Sequence, residues 1–303
     1  MPEPASAAPS LRTDTSAVEP RYLALLEGER KGWWTEENFE TWKNLYVSEY
    51  ARGFAIADTL ARHVPGFRAE GARVLDVGCG DAGVPIAFAE HGARVAGIEL
   101  SERSVARGRL RAEEHRVDVD LRQGVAEALP WEDESFDLVV MDNVLEHVQD
   151  RPKSLSEIRR VLRPGGLLYL VTPKPFALAS LWSDPHYQLA GLVLMPRAVQ
   201  VWYFERVRGG GKGNYGVGVI PTRHGVRRLL RRAGFEELTR PRDLWIEYLR
   251  RRIASPEEVR PEKRKLATWL KERGWIFENP ASRAALDVAL GSNFFIARKT
   301  GSP

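Results

Sequence analysis

Residues Val74 to Gly83 read "VLDVGCGDAG", an apolar run that opens into three glycines spaced G-x-G-x-x-G from Gly78 to Gly83. The run has the make-up of a buried strand, and the glycines that follow allow a tight turn into a helix. Such a turn brings backbone close to a ligand at a helix N-terminus. The stretch therefore predicts strand, loop and helix around a bound molecule, and the rest of the chain is read outward from it.

On the C-terminal side the rhythm continues. "GVPIAFAEHG" reads as a helix closed by Gly92, and "RVAGIEL" as a second strand. Ser101 has the side chain to cap a long charged helix ending near His115. "VDVDLRQG" is a weaker strand and "SFDLVVMD" a strong one; "PKSLSEIRRVL" is a helix, "RPGG" a turn and "LLYLVTP" a strand. Alternation of this kind argues for an α/β fold, a parallel sheet covered by helices on both faces. The helix "TRHGVRRLLRRAG" and the strand "FEELTR" take it up again, and "SNFFIARK" reads as a closing strand.

The expected organisation is a flexible tail over 1–20, a helical, aromatic N-terminal cap over 21–71, and a ligand-binding domain over 72–299. Two insertions interrupt that domain: 173–220, which contains "RGGGKGNYGVG" and is expected to form a lid over the acceptor, and a helical one over 241–290, with Asn279 and Pro280 as a helix start. The 303 residues carry a net charge of +4, too small to imply a nucleic-acid partner by itself. Cys79 is the only cysteine, so no internal disulfide can form, no metal site is expected, and a reducing, cytoplasmic compartment fits. The first twenty residues lack the pattern of a secretory signal, and no apolar run is long enough for a transmembrane segment.

In doubly wound sheets the ligand lies beyond the carboxyl ends of the strands, and an acid ending the second strand can hold ribose hydroxyls. That acid is Glu99. A dinucleotide would fit the spacing, but Asp76 precedes the loop and Asp81 lies inside it. Two carboxylates beside a pyrophosphate repel it. S-adenosylmethionine has no phosphate and carries a sulfonium and an ammonium, so acids near it are favourable.

The motifs "VLDVGCGDAG", "GIEL", "ALPWEDESFDLVVMDNVLEHV" and "LRPGGLLYLVTP", in that order, resemble the class I S-adenosylmethionine-dependent methyltransferases. The match is nearest to the small-molecule branch typified by ubiquinone and menaquinone biosynthesis enzymes. The resemblance implies a Rossmann-like, doubly wound, mostly parallel seven-stranded sheet, S-adenosylmethionine as cofactor, and methyl transfer to an O, N or C atom of a small-molecule acceptor; the apolar run "LAGLVLMP", Leu189 to Pro196, favours a hydrophobic one. It carries the glycine loop onto Gly78, Cys79 and Gly80 and the ribose acid onto Glu99, with Asp76 beside them. The family's adenine-proximal acid falls on Val125, so backbone at Ala126 or the side chain of Glu127 would substitute. Asp142 and Asn143, after the fourth strand, would face the methyl group.

His147, read on a helix in "LEHV", and His186, in "WSDPHYQ", are the candidate bases; Asp184, His186 and Tyr187 are the candidate acceptor contacts. Cys79 in a tight turn reads as a small packing residue rather than a nucleophile. Between Arg223 and Arg252 ten arginines face four acids, which would suit RNA or protein docking; on the helix, however, they flank Leu229 and Leu230 as a solvated face does. An RNA or protein methyltransferase, and a non-catalytic binder of S-adenosylmethionine, are the alternative readings.

Overall fold

The computed structural model describes residues 18–29, 36–175, 195–203, 206, 220–239, 241–252, 261–289 and 292–301. Asp184, His186 and Tyr187, with most of the 173–220 insertion, lie outside the described residues. The fold is a seven-stranded, mostly parallel sheet with flanking helices. The chain divides into two compact units, Met1–Val125 and Ala126–Pro303. Among the described residues no helix is long and apolar enough to cross a membrane.

In the first unit the strands run in the order β3 (Val119–Gln123), β2 (Arg94–Glu99), β1 (Arg73–Val77). Both pairings are parallel, with Val74 opposite Val95 and Val95 opposite Val119. Four of the five β1 residues are buried, as the apolar run requires. Helices α1 (Pro20–Gly28), α2 (Glu36–His63), α3 (Gly83–Glu90) and α4 (Glu102–His115) belong to this unit. Ser101 caps α4 by accepting from the Ser104 amide, as its residue type predicts.

α4 looks like a solvated helix in the sequence, yet Arg107 and Arg111 are buried on the face that also carries Val105, Gly108 and Ala112. Carboxylates brought in from elsewhere make this possible. Arg111 and Glu19 are both fully buried and lie 2.6 Å apart. Arg111 also donates to the Tyr46 and Val47 carbonyls and stacks over the Tyr22 ring. His115 bonds Glu19 through Nε2 at 2.7 Å and Glu90 through Nδ1 at 2.8 Å. Glu19 falls within the stretch read as tail, but it is a structural anchor: it ties the start of α1 to α4.

In the second unit the order is β4 (Phe136–Asp142), β5 (Leu162–Pro173), β7 (Ser292–Lys299), β6 (Phe235–Glu237). β4 and β5 are parallel, whereas β7 is antiparallel to both of its neighbours. The "RPGG" read as a turn lies within β5; the register against β4 shifts between Phe136 and Leu138, so the extra residues are absorbed as an irregularity. Helix α5 (Arg151–Val161) starts at Asp150, whose side chain accepts from the Lys153 amide. A short helix, α6, spans Arg197–Trp202. Thr222 caps α7 (Arg223–Arg232) in the same way. Three further helices follow: α8 (Pro241–Arg252), α9 (Pro261–Glu272) and α10 (Pro280–Ala289), the last capped by Asn279.

The α7 arginines behave as a solvated face. Val226 and Leu230 are buried beneath them, and Arg227 is committed to Glu237 at 2.8 and 3.1 Å.

Glu19→Ala should cost about 3–5 kcal/mol, because it leaves a buried arginine without its carboxylate. Chemical denaturation measures this. Burial lowers the His115 proton affinity, but the bonds from Glu19 and Glu90 outweigh it and raise the pKa above the ordinary value. The stabilisation from protonated His115 is therefore complete below its unfolded pKa, about 6.5, and is lost as pH rises through the folded value. A melting series across that range should show the decline in the parent and lose it in His115→Ala.

Candidate functional site

The site begins where β1 ends. The Gly78 and Cys79 amides both donate to the Ile98 carbonyl, at 2.8 and 3.1 Å, which ties the loop to the end of β2. The Gly80 amide donates to Glu99 Oε2 at 3.2 Å, and the Ser101 amide to Oε1 at 2.9 Å. Glu99 is thus aimed over the loop by two backbone amides, at the carboxyl end of its strand.

Gly80 has φ +53°, and a Cβ placed there would lie 3.0 Å and 3.2 Å from the two Glu49 carboxylate oxygens. At Gly83 the constraint is packing: a Cβ would lie 2.6 Å from both Glu49 Cβ and the Tyr50 amide nitrogen. The third glycine of the motif therefore admits α2, not a phosphate.

Asp81, read as a carboxylate facing the ligand, is a correction. It is fully buried, held by Arg107 at 2.7 and 2.8 Å and by the Tyr22 hydroxyl at 3.0 Å. Its charge is met inside the protein. Glu49 takes its place beside the loop. No motif marks this role, because Glu49 lies in α2, upstream of them all.

Burial pushes the Cys79 thiol well above its ordinary pKa, and Asp76, Glu99 and Glu49 push it further. Three carboxylates thus act on one point of the loop. Asp76, Gly78, Cys79, Gly80 and Glu99 are brought together as the motif implies. The arrangement is anionic, and the amides of Gly78, Cys79 and Gly80 are already committed. It suits a cationic ligand with hydroxyls and offers little to a pyrophosphate.

In the second unit Ala126 is buried, and Glu127 Oε1 accepts from the Gln149 and Asp150 amides at 2.8 and 3.1 Å. Glu127 therefore anchors the chain entering α5. Asp142 ends β4; Asn143 follows with φ +57°, donates from Nδ2 to Asp142 Oδ1 at 2.7 Å, and from its amide to the Val171 carbonyl at 2.9 Å. His147 is exposed and lies in a turn, not on a helix as its surroundings suggested. The turn is closed by the His147 amide on the Val144 carbonyl at 2.8 Å. Helix formation waits for the Asp150 cap, a stronger local signal. Glu146, next to His147, is fully buried, and its charge acts on Arg151.

A cavity of about 420 Å³ lies elsewhere in this unit, at the amino end of β4 and β5, lined by Asp133, Arg159, Arg160 and Lys299 among others. Its cations already have internal partners: Arg159 on Gly234 and Thr300 carbonyls, Arg160 on Glu157 and Asp133, Lys299 on the Leu162 carbonyl. It has no tie to the strand ends that carry Asp142 and Asn143. Among the described residues no group of His, Cys, Asp and Glu is placed to hold a metal ion.

Comparison with known proteins agrees with this geometry. The methyltransferase domain family matches residues 75–170. The ubiquinone biosynthesis O-methyltransferase of Maricaulis maris (strain MCS10) is 32% identical over 187 residues, covering 59% of this chain and 73% of that protein. A solved S-adenosylmethionine-dependent methyltransferase from Mesorhizobium loti matches with TM-score 0.51 at 20% identity, over 80% of this chain and 96% of that one. The [4+2]-cyclase SpnF also matches with TM-score 0.51, at 21% identity, over 97% and 98%. At such identity these two structures establish the fold alone.

Cys79 should be inert to alkylation in the folded protein. At pH 8 iodoacetamide should label it far more slowly than in denaturant, since both access and thiolate are suppressed. Equal rates would mean that the loop opens freely.

Proposed function

Since this chain belongs to the class I S-adenosylmethionine-dependent methyltransferases of the small-molecule branch, we propose that it methylates an oxygen of a hydrophobic, phenol-like acceptor. The name of the Maricaulis maris relative supports oxygen as the acceptor atom and a quinone precursor as the type of molecule. The observation that carries the reading is the set of three carboxylates, Asp76, Glu99 and Glu49, around a glycine loop whose amides are already engaged.

When bound, S-adenosylmethionine supplies a methyl group on a sulfonium, an already activated leaving group. Glu99 would accept from the ribose hydroxyls, and Gly78, Cys79 and Gly80 would allow the close approach. Asp76 and Glu49 would offset the positive charge of the amino-acid end. Ala126 would contribute backbone to the adenine, with Glu127 acting through the turn it anchors. Asp142 and Asn143 would border the methyl group.

The protein's remaining task is orientation and proton removal. Fixing an acceptor lone pair in line with the scissile bond is worth up to roughly 10 kcal/mol. An acceptor hydroxyl must lose its proton, and His147, exposed beside the end of β4, is the proposed base; Asp184, His186 and Tyr187 remain proposed acceptor contacts. Of the five α7 arginines, Arg223 and Arg227 already have internal carboxylate partners, which counts against RNA or protein docking through them.

Calorimetry should find micromolar binding of S-adenosylhomocysteine and none of NAD. Glu99→Ala should weaken the former by about 1–3 kcal/mol, since a charged acceptor is lost to two hydroxyls. NAD binding without S-adenosylhomocysteine binding would overturn the reading. His147→Ala should lower kcat by about 10²–10⁴ and remove the ascending limb of the pH profile; an unchanged profile would exclude His147 as the base.

A further inference from the structure

At the carboxyl end of β5 two buried side chains each carry a polar atom without a hydrogen-bond partner. Thr172 and Asn293 are both fully buried, and neither Thr172 Oγ1 nor Asn293 Nδ2 has a hydrogen-bond partner. They are register partners across the β5–β7 pair, so their side chains share one face of the sheet. The orientation of the amide is fixed, because Asn293 Oδ1 accepts from Arg223 Nε at 3.0 Å. Its Nδ2 must therefore present donors on the other side.

Arg223 also belongs to an ion-paired cluster with Lys174 and Asp287. Arg223 holds Asp287 through two bonds of 2.7 and 2.9 Å, and Lys174 Nζ lies 2.5 Å from Asp287 Oδ1 and 2.6 Å from its carbonyl. Burial alone would raise the Asp287 carboxyl, but these two cations hold it below its ordinary range. Among these residues two cations thus meet one carboxylate. The cluster adjoins the proposed methyl-transfer edge: Asp142 is opposite Val171, one residue before Thr172, and the Asn143 amide bonds the Val171 carbonyl.

Leaving a buried donor unpaired is unfavourable, and here two such donors lie together on one face of the sheet. What they lack is an acceptor, and the nearby cations favour an anionic one. We propose that Thr172 and Asn293 form the acceptor's head-group clamp, donating from Oγ1 and Nδ2 to the two oxygens of a ring carboxylate on a phenolic substrate. Arg223 and Lys174 act as positioning residues: Arg223 sets the amide, and both fix Asp287 so that it does not take the donors itself. The inference rests on the phenol-methylating function proposed above and names a specificity element within it.

The test compares 3,4-dihydroxybenzoate with catechol as ligands of the protein saturated with S-adenosylhomocysteine, by calorimetry. The parent should bind the benzoate about tenfold or more tighter, the size expected when two buried donors gain an acceptor. Thr172→Val should abolish that preference, and Thr172→Ser, which keeps the hydroxyl, should retain it. Because Thr172→Val removes an orphaned hydroxyl, its melting temperature should equal or exceed the parent's, so that loss of preference is not loss of fold. Equal affinities in the parent, or an undiminished preference in Thr172→Val, would overturn the clamp and mean that the pair only encloses water. Failure of the parent to bind S-adenosylhomocysteine would instead strike the function on which the clamp rests.

Discussion

The buried carboxylate of Asp81, gripped by Nε and Nη2 along one edge of the Arg107 guanidinium and by the Tyr22 hydroxyl, fixes the first unit around its glycine loop. Taking two charges out of water is costly, and the cost is met only when the pair is fully hydrogen-bonded. Nη1 of Arg107 reaches Glu29 at 2.7 Å, and Ser104 accepts from Nη2 at 3.1 Å, so four of its five N–H protons have acceptors. Burial, the largest influence, pushes the Tyr22 phenol far above its ordinary pKa, so it stays protonated and donates. Any other course of the loop would leave Asp81 or Arg107 buried without its partner. The pair therefore acts on specificity: it holds α1, the loop and α4 in one arrangement, and the strained φ of +62° at Ala82 is tolerated within it.

The remaining charges near the loop follow from that commitment. With Asp81 neutralised, Glu49, Asp76 and Glu99 stay as carboxylates around Cys79 and Gly80, and the loop amides are occupied by Ile98 and Glu99. A phosphate would meet repulsion and find few donors, whereas a sulfonium and an ammonium meet attraction. The second unit shows the contrasting case. There Arg223 and Lys174 both bond Asp287, yet Thr172 and Asn293 keep donors that the fold itself does not use. A protein that satisfies Lys174, Arg223 and Asp287 so closely had the means to satisfy these two as well.

Much of this was legible in the residues. The strands β1, β2, β4 and β7 are apolar runs of ordinary strand length, and the caps at Ser101 and Asn279 are read by residue type. Other elements misled for definite reasons. "RPGG" has turn chemistry, but a register shift between strands accommodates it inside β5. "LEHV" resembles a helical turn, yet the amides after it are held by Glu127 and the helix starts at Asp150. The α4 arginines look solvated because charge usually means water; here Glu19, Glu29 and Asp81 replace the water.

By itself the sequence determined the alternation of strand and helix, the glycine loop and the acid at the end of β2. These depend on residues adjacent along the chain, where backbone conformation and periodicity are decided by local sterics and by which face is apolar. Only the tertiary structure decided which carboxylates face a ligand and which are spent within the protein. Asp81 and Arg107 are separated by 26 positions, Glu19 and Arg111 by 92, Lys174 and Asp287 by 113. Whether a charge meets water, a ligand or another charge depends on what packing brings beside it, and no short stretch of sequence carries that information.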